Sequence, residues 1–210
     1  MPVMPDPSGF LAVVTIDQRR SRTSPDRVES LLADLAGSGT AAATVLRFER
    51  TAGDEVQGLI GSPAELVELV LWLVRAGSWS TGVGLGPVRR PLPDSARAGA
   101  GPAFEHARAA VERAKRHVEG VAVAGPDAAA ARHAEAVLQL LAALVQRRSP
   151  QGWQAVDLVG AGLTQVAAAR RLGVSRQAVG QRLQAALWPH EQSVRPVAAD
   201  LLARAAGAAP

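Results

Sequence analysis

Hydrophobic positions in the N-terminal part of the chain form short continuous runs and longer helical stripes, which predicts alternating strands and helices. The first run is apolar and β-branched and lies between Gly9 and Asp17, as expected of a strand buried on both faces. The second and third runs flank a tight turn with Gly53 and Asp54, which predicts a hairpin. The predicted strands cover residues 10–16, 44–50, 56–60, 79–85 and 121–124.

Helical stripes separate these strands, and capping residues locate their ends. Ser24 is the predicted cap of the first helix, with Pro25 in its first turn and Gly37 at its end. Ser62 and Gly77 bound the second helix, over residues 63–76, in the same way. Further helices are predicted over residues 102–117, 128–147, 153–159 and 196–205. The order β-α-β-β-α-β predicts an α+β, ferredoxin-like sandwich with its helices on one face of the sheet.

Towards the C-terminus the pattern changes to two short helices joined at a glycine. Gly173 supplies the positive φ that ends the first helix, and Ser175 can cap the second, predicted over residues 176–187. This spacing predicts an all-α helix-turn-helix domain. The apolar stripes expected to face its core are Leu163, Val166, Ala169 and Leu172 in the first helix and Val179, Leu183 and Leu187 in the second.

The opposite stripe of the second helix carries long side chains of the types that read guanine and adenine edges in a major groove. Arginines around it are placed to meet phosphates, which adds attraction without sequence information. The predicted DNA contacts are Thr164, Gln165, Arg170, Arg171, Ser175, Arg176, Gln177, Gln181, Arg182 and Gln184. The alternative is a solvated helical hairpin whose glutamines do nothing more than remain hydrated.

The distribution of charge supports the first interpretation. The formal net charge is +4, yet residues 146–195 alone carry seven arginines and two acidic residues, a charge of +5. The rest of the chain is therefore close to neutral, and the positive field is concentrated in the segment predicted to contact DNA.

Length and composition predict two domains joined by a helix. The predicted division is residues 1–126, a connecting helix at 127–150 and a DNA-binding domain at 151–210. The absence of cysteine excludes disulfides and thiolate metal sites and suits a reducing cytoplasm. Residues 1–8 lack the features of a signal peptide. The apolar run at 66–74 is too short to span a bilayer, so we expect a cytoplasmic protein without membrane contact.

Acidic residues are the candidates for metal chemistry in the first domain. Asp17 ends the first strand, and Asp54 and Glu55 lie at the tip of the hairpin, on strands that are neighbours in the predicted sheet. Carboxylates at one sheet edge can share Mg²⁺ and its nucleotide phosphates. The alternative is ordinary turn chemistry, which also favours aspartate at these places. Arg89 and Arg90 follow a glycine-rich strand and are available to an anionic partner.

Several motifs, together with the C-terminal helix-turn-helix, resemble the SatD family of bacterial proteins over most of the chain. The most specific are Gly53-Asp54-Glu55-Val56-Gln57-Gly58 and Gly101-Pro102-Ala103-Phe104. The others are Asp17-x-x-x-Ser21-Arg22 and Gly82-Val83-Gly84-Leu85-Gly86. In strand order the first domain is also similar to the palm of nucleotide cyclases and diguanylate cyclases, whose active-site hairpin reads Gly-Gly-Asp-Glu-Phe.

The chain departs from that enzyme pattern at its centre. Ala52 replaces the first glycine, Val56 replaces the phenylalanine, and Lys115 is the only lysine in the chain, so no helix offers an obvious lysine for a polyphosphate. The resemblance therefore implies a degenerate nucleotide-cyclase-palm-like domain, able to bind a nucleotide or Mg²⁺ or only to dimerise.

The function expected from the sequence is that of a cytoplasmic bacterial transcription regulator, a homodimer that binds double-stranded DNA. A ligand near Asp17, Ser21, Arg22 and Asp54 would alter the spacing of two recognition helices. Two alternatives remain open. One is a Mg²⁺-dependent nucleotidyl-transfer or cyclase enzyme, and the other is an adaptor whose helix-turn-helix binds protein.

Overall fold

The computed structural model describes residues 9–21, 23–37 and 44–207, so the predictions for residues 1–8 and for Arg22 concern positions outside these ranges. The fold is mixed α/β. Its strands are β1 (Ala12–Gln18), β2 (Thr44–Arg50), β3 (Glu55–Ile60), β4 (Trp79–Leu85) and β5 (Val121–Ala124). They form one sheet in the order β2-β3-β1-β4-β5, in which only the β4 and β5 pair is parallel. The predicted strands are therefore confirmed, with β1 displaced by two residues from its predicted bounds.

The helices are α1 (Val28–Gly37), α2 (Pro63–Ala76), α3 (Pro102–Ala114), α4 (Ala128–Arg147), α5 (Pro150–Gly160), α6 (Gln165–Leu172), α7 (Arg176–Ala185) and α8 (Trp188–Ala205). The α2 prediction is confirmed at both ends, since the Ser62 hydroxyl accepts from the Glu65 N–H and Gly77 has a φ of 71°. The predicted cap of α1 is wrong. Ser24 donates its hydroxyl to the Arg20 carbonyl, and Asp26 accepts from the Val28 N–H at the start of the helix.

Helices cover both faces of the sheet, so the prediction that all of them lie on one face is wrong. Apolar residues of α1, α2, α4 and α8 share one core with β1, β3 and β4. The opposite face is covered by α3, which packs mainly on β4. The glycines of β4 make this close approach possible, because a Cβ at Gly84 would lie 2.0 Å from the Ala103 carbonyl oxygen. Close backbone packing against α3 is therefore the role of these glycines.

The outer edge of β5 is closed by side chains. Gln139 donates to the Val121 carbonyl, Glu135 accepts from the Val123 N–H, and Arg113 donates to the Val123 carbonyl. Because the outward-facing groups of these residues are paired, this edge is protected against the addition of another strand.

The connecting helix α4 is the one helix, among the described residues, that is long and apolar enough to cross a membrane. In the fold, Leu138, Leu141 and Val145 of α4 are buried in the core beside α8 and β5. A buried core helix passes the same compositional test, so its length alone does not indicate a membrane span.

The C-terminal helices divide between two cores. Residues of α5, α6 and α7 form a separate small cluster around Val179 and Leu183. In contrast, α8 packs on α2 and α4 and contributes Leu202 to the main core. The last helix therefore belongs by its packing to the first unit, although it lies within residues 151–210 of the predicted DNA-binding domain.

Candidate nucleic-acid interface and acidic cleft

The two helices predicted for the helix-turn-helix are α6 and α7, and local chemistry explains both ends of the turn. The Thr164 hydroxyl accepts from the Ala167 N–H and the Ser175 hydroxyl accepts from the Ala178 N–H. Gly173 has a φ of 66° and ends α6 in the left-handed conformation. Ala168 and Ala169 are buried where α6 lies against α7. Small side chains at this crossing let the two helices approach closely.

Two members of the predicted apolar stripes are placed differently from expectation. Val166 is 47% exposed and Leu187 is 39% exposed. Leu187 has a φ of 53°, so α7 ends at Ala185, and Ala186 is buried instead. The prediction that α7 continues to Leu187 with its side chain in the core is therefore wrong.

The polar face of α7 is open to solvent. Four side chains predicted to read bases are exposed on this face. The opposite face of the helix is buried and carries Val179 and Leu183. The exposed residues are Arg176, Gln177, Gln181 and Gln184. Because their spacing is helical, they form a continuous ridge, called here the α7 ridge.

The residues predicted to meet phosphates surround this ridge. Thr164 lies at the start of α6, and Arg170 and Arg171 are exposed in its last turn. Arg182 is half-buried, and its Nη1 donates to the Gln154 Oε1 over 3.3 Å. Gln165, the first residue of α6, lies next to the backbone of α7.

Not all of the positive charge in residues 146–195 is available to a partner. Arg148 and Glu191 form an ion pair in which both side chains are fully buried. Arg195 also binds Glu191, over 2.5 Å, and pairs with Glu68 of α2. The exposed arginines of the segment are thus concentrated on α6 and α7, with Arg147 at the end of α4.

The buried pair lies in an aromatic joint between the two units. The Arg148 guanidinium is 4.3 Å from the centre of the Trp153 ring and 5.9 Å from that of Trp188. Arg75 of α2 stacks on the other side of the joint, 3.8 Å from the centre of the Trp153 ring. Arg75 also binds both carboxylate oxygens of Asp157 on α5, over 2.6 and 2.8 Å. These contacts fix the helix-turn-helix against α2. We use the name α2 joint for the set of residues that make them, which are Glu68, Arg75, Arg148, Trp153, Asp157, Trp188, Glu191 and Arg195.

Two of the predicted metal ligands lie in one cleft. Asp17 and Asp54 line a cleft of about 700 Å³ together with Ser21. Asp17 pairs in the sheet with Glu55, but the Glu55 carboxylate accepts from the Thr51 hydroxyl over 2.6 Å and lines a separate cleft. Within the described part of the chain, no group of three or more potential metal ligands converges.

The cleft already contains a cation. The Lys115 ammonium lies 2.8 Å from Asp17 Oδ2 and 2.8 Å from Glu112 Oε1. Burial raises the pKa of the Asp17 carboxyl above its ordinary value, and Lys115 offsets this only in part. Although burial lowers the pKa of Lys115, its bonds with the two carboxylates raise it overall. Lys115 therefore supplies the positive charge that a bound metal ion would supply to Asp17.

The other predicted ligand-binding residues are not brought together with this cleft. Arg89 and Arg90 are exposed on the loop between β4 and α3 and line neither cleft. Among the cleft residues that the sequence did not indicate is Arg19, whose guanidinium donates to the His117 carbonyl over 2.7 Å and to the Ser80 hydroxyl over 3.3 Å.

Sequence reasoning missed Lys115 and the α2 joint for different reasons. Lys115 directly follows α3, and its meeting with Asp17 depends on α3 crossing the face of the sheet that was expected to be open. Arg148 and Glu191 are separated by 43 residues, so no local spacing indicates that they pair. The one weak sequence signal for this joint is that a tryptophan and an arginine occur close together both in residues 148–153 and in residues 188–195.

Comparisons with protein-family profiles, with curated proteins and with solved structures found no match for this chain. The geometry of the interface and the cleft therefore supplies the functional argument.

Proposed function

We propose that this chain is a sequence-specific DNA-binding regulator of the bacterial cytoplasm. The observation that carries the proposal is the α7 ridge, in which arginine and glutamine side chains stand exposed on a capped, well-packed helix. These side chains match the donor and acceptor patterns of guanine and adenine in the major groove. One such helix reads a half-site, so the proposal includes a homodimer on duplex DNA.

Charge placement supports the same proposal. Arg170, Arg171 and Arg176 are exposed within the helix-turn-helix, while the acidic Asp157 and Glu191 are paired with arginines. The helices α6 and α7 themselves contain no acidic residue, so their exposed surface is basic. Such a surface attracts duplex DNA before any base is read.

The first unit is proposed to be a ferredoxin-like, degenerate palm of the SatD type. Its support is the strand order β2-β3-β1-β4, with every pair in that series antiparallel and α1 and α2 on one face. Two features are additional to this pattern, namely the parallel edge strand β5 and the helix α3 on the second face.

A rival proposal, Mg²⁺-dependent nucleotidyl transfer, has one specific observation in its favour, the shared cleft of Asp17 and Asp54. We place it second because the Lys115 ammonium already neutralises Asp17. The test is incubation with ATP or GTP and Mg²⁺. Turnover that is abolished by Asp54→Asn would favour the enzyme.

The DNA-binding proposal is tested by selection of duplexes from a random pool, followed by affinity measurements with variants. Arg176→Ala and Gln181→Ala each remove groups of the ridge, and we expect each to cost about 1–3 kcal/mol of binding free energy on the selected duplex. Arg116→Ala, which removes an exposed arginine of the first unit, serves as the charge-matched control and should bind normally. Wild-type affinity in both ridge variants would contradict the assignment of α7 as the recognition helix.

A further inference from the structure

A glycine lies in the middle of the α7 ridge. Gly180 is four residues after Arg176 and four before Gln184, so it lies on the same helical face as the exposed side chains. After proline, glycine is the residue that least favours a helix interior. Its presence in a ten-residue helix therefore needs a physical reason.

The protein itself provides no such reason at this position. Glycines that the fold requires have backbone close to the place of the missing side chain, as Gly82 has at 2.2 Å. A Cβ on Gly180 would meet only Gln165 Oε1, at 3.7 Å, an ordinary van der Waals distance, among the atoms of the described chain. Gly180 is also not among the glycines with positive φ. Alanine would fit the folded chain and would favour the helix.

We propose that Gly180 is the point where α7 comes closest to the DNA, with the Gln165 amide beside it as a further contact. This inference rests on the proposed DNA-binding function. A ridge residue without a side chain lets the helix backbone approach the wall of the groove, while the neighbouring arginine and glutamines reach the base edges. The Gln165 side chain starts at the first turn of α6 and lies over this gap, where its amide can bind the sugar-phosphate backbone.

The test is Gly180→Ala, measured for thermal unfolding and for affinity to the duplex that the wild-type chain selects from a random pool. We expect the midpoint of unfolding to rise by about 2–4 °C, because alanine favours the helix. We expect the affinity for DNA to fall by about tenfold or more, because the added methyl group moves the ridge away from its base contacts. A stabilised variant with weakened binding cannot be explained by damage to the fold.

One control and one further test variant complete the experiment. Gly37→Ala changes a helical glycine in α1, where no heavy atom of the described residues lies within 4 Å of the added Cβ, and it should leave DNA affinity unchanged. Gln165→Ala should weaken DNA binding while unfolding stays near the wild-type temperature, because Gln165 is not one of the residues that form the small core around Val179 and Leu183.

The outcomes separate this inference from the function on which it rests. Wild-type chain that selects no duplex would overturn the proposed function. Wild-type chain that binds DNA, together with a Gly180→Ala variant of equal affinity, would overturn the closest-approach inference alone. A lowered unfolding temperature in Gly180→Ala would also overturn it, because the glycine would then serve internal packing.

Discussion

At the residue scale, the acidic cleft shows how one side chain changes the chemistry of a site. Asp17 and Asp54 share the cleft as their strand positions predict, but Asp17 is bound to Lys115. The ammonium opposes the effect of burial, which raises the pKa of the Asp17 carboxyl. The carboxylate that was predicted to bind a metal ion thus binds the ammonium of a lysine from the same chain.

Removing this cation should raise the pKa of Asp17 further. In Lys115→Met the burial of Asp17 persists while its hydrogen bond and favourable charge are lost, so we expect an upward shift. Glu112→Gln is the matched control. It removes a nearby negative charge that raises the pKa of Asp17, and it should shift that pKa slightly downward. Titration of the carboxyl carbon by NMR measures both, and an unchanged pKa in Lys115→Met would contradict the proposed role of the lysine.

The same shift determines how stability depends on pH. The folded chain binds the Asp17 proton more tightly than the unfolded chain, because the folded pKa lies above the ordinary value of 3.8. This contribution is complete below the ordinary value and is lost as pH rises through the folded pKa. The Lys115→Met variant should therefore lose more stability, relative to wild type, at pH 7 than at pH 4.

Single residues with local roles could be predicted from the sequence, and residues with distant partners could not. Ser175 and Gly173 act within one turn of their neighbours, so their spacing alone identifies them. Lys115 acts on a strand 98 positions earlier in the chain, and only the path of α3 decides that contact.

At the scale of elements, the α2 joint determines how the helix-turn-helix is held. Glu191 of α8 binds Arg148 at the end of α4. Arg195, also on α8, binds Glu68 on the exposed face of α2. Arg148 retains two nitrogens, Nε and Nη1, without a hydrogen-bond partner, and it faces indole rings there. Removing the Glu191 charge would leave this guanidinium buried and uncompensated.

We expect Glu191→Gln to lower the free energy of unfolding by about 3–5 kcal/mol, as is typical when one member of a buried ion pair is removed. Chemical denaturation measures the loss. Arg148→Met combined with Glu191→Leu should recover much of it, because an apolar pair removes the uncompensated charge. The exposed-pair control Glu112→Gln should cost far less. A loss in Glu191→Gln no larger than in this control would contradict the account of the joint.

Elements defined by their own sequence were predicted best. The helix α2 has both a capping serine and a terminal glycine, and its predicted bounds are correct. The end of α7 and the start of α8 were missed because Leu187 adopts a left-handed conformation, which sequence patterns assign to glycine or asparagine. The face covered by α3 also depends on packing, since its glycine-rich partner strand is compatible with burial on either side.

At the scale of the whole molecule, ion pairing leaves the exposed positive charge of residues 146–195 mainly on α6 and α7. Glu68, Asp157 and Glu191 are all engaged in the α2 joint, whereas Arg170, Arg171 and Arg176 remain exposed. A helix-turn-helix fixed in one orientation loses little conformational freedom on binding. On the proposed function, a ligand of the first unit would act by altering the placement of two such units in the proposed dimer.

The most direct test of this account is the salt dependence of the affinity of the purified chain for duplex DNA. With Arg170, Arg171 and Arg182 meeting phosphates, the logarithm of the affinity should fall with the logarithm of salt concentration with a slope of about −3 for each protomer. Arg171→Ala should make that slope shallower by about one. Absence of binding at low salt, or binding that does not change with salt, would contradict the account.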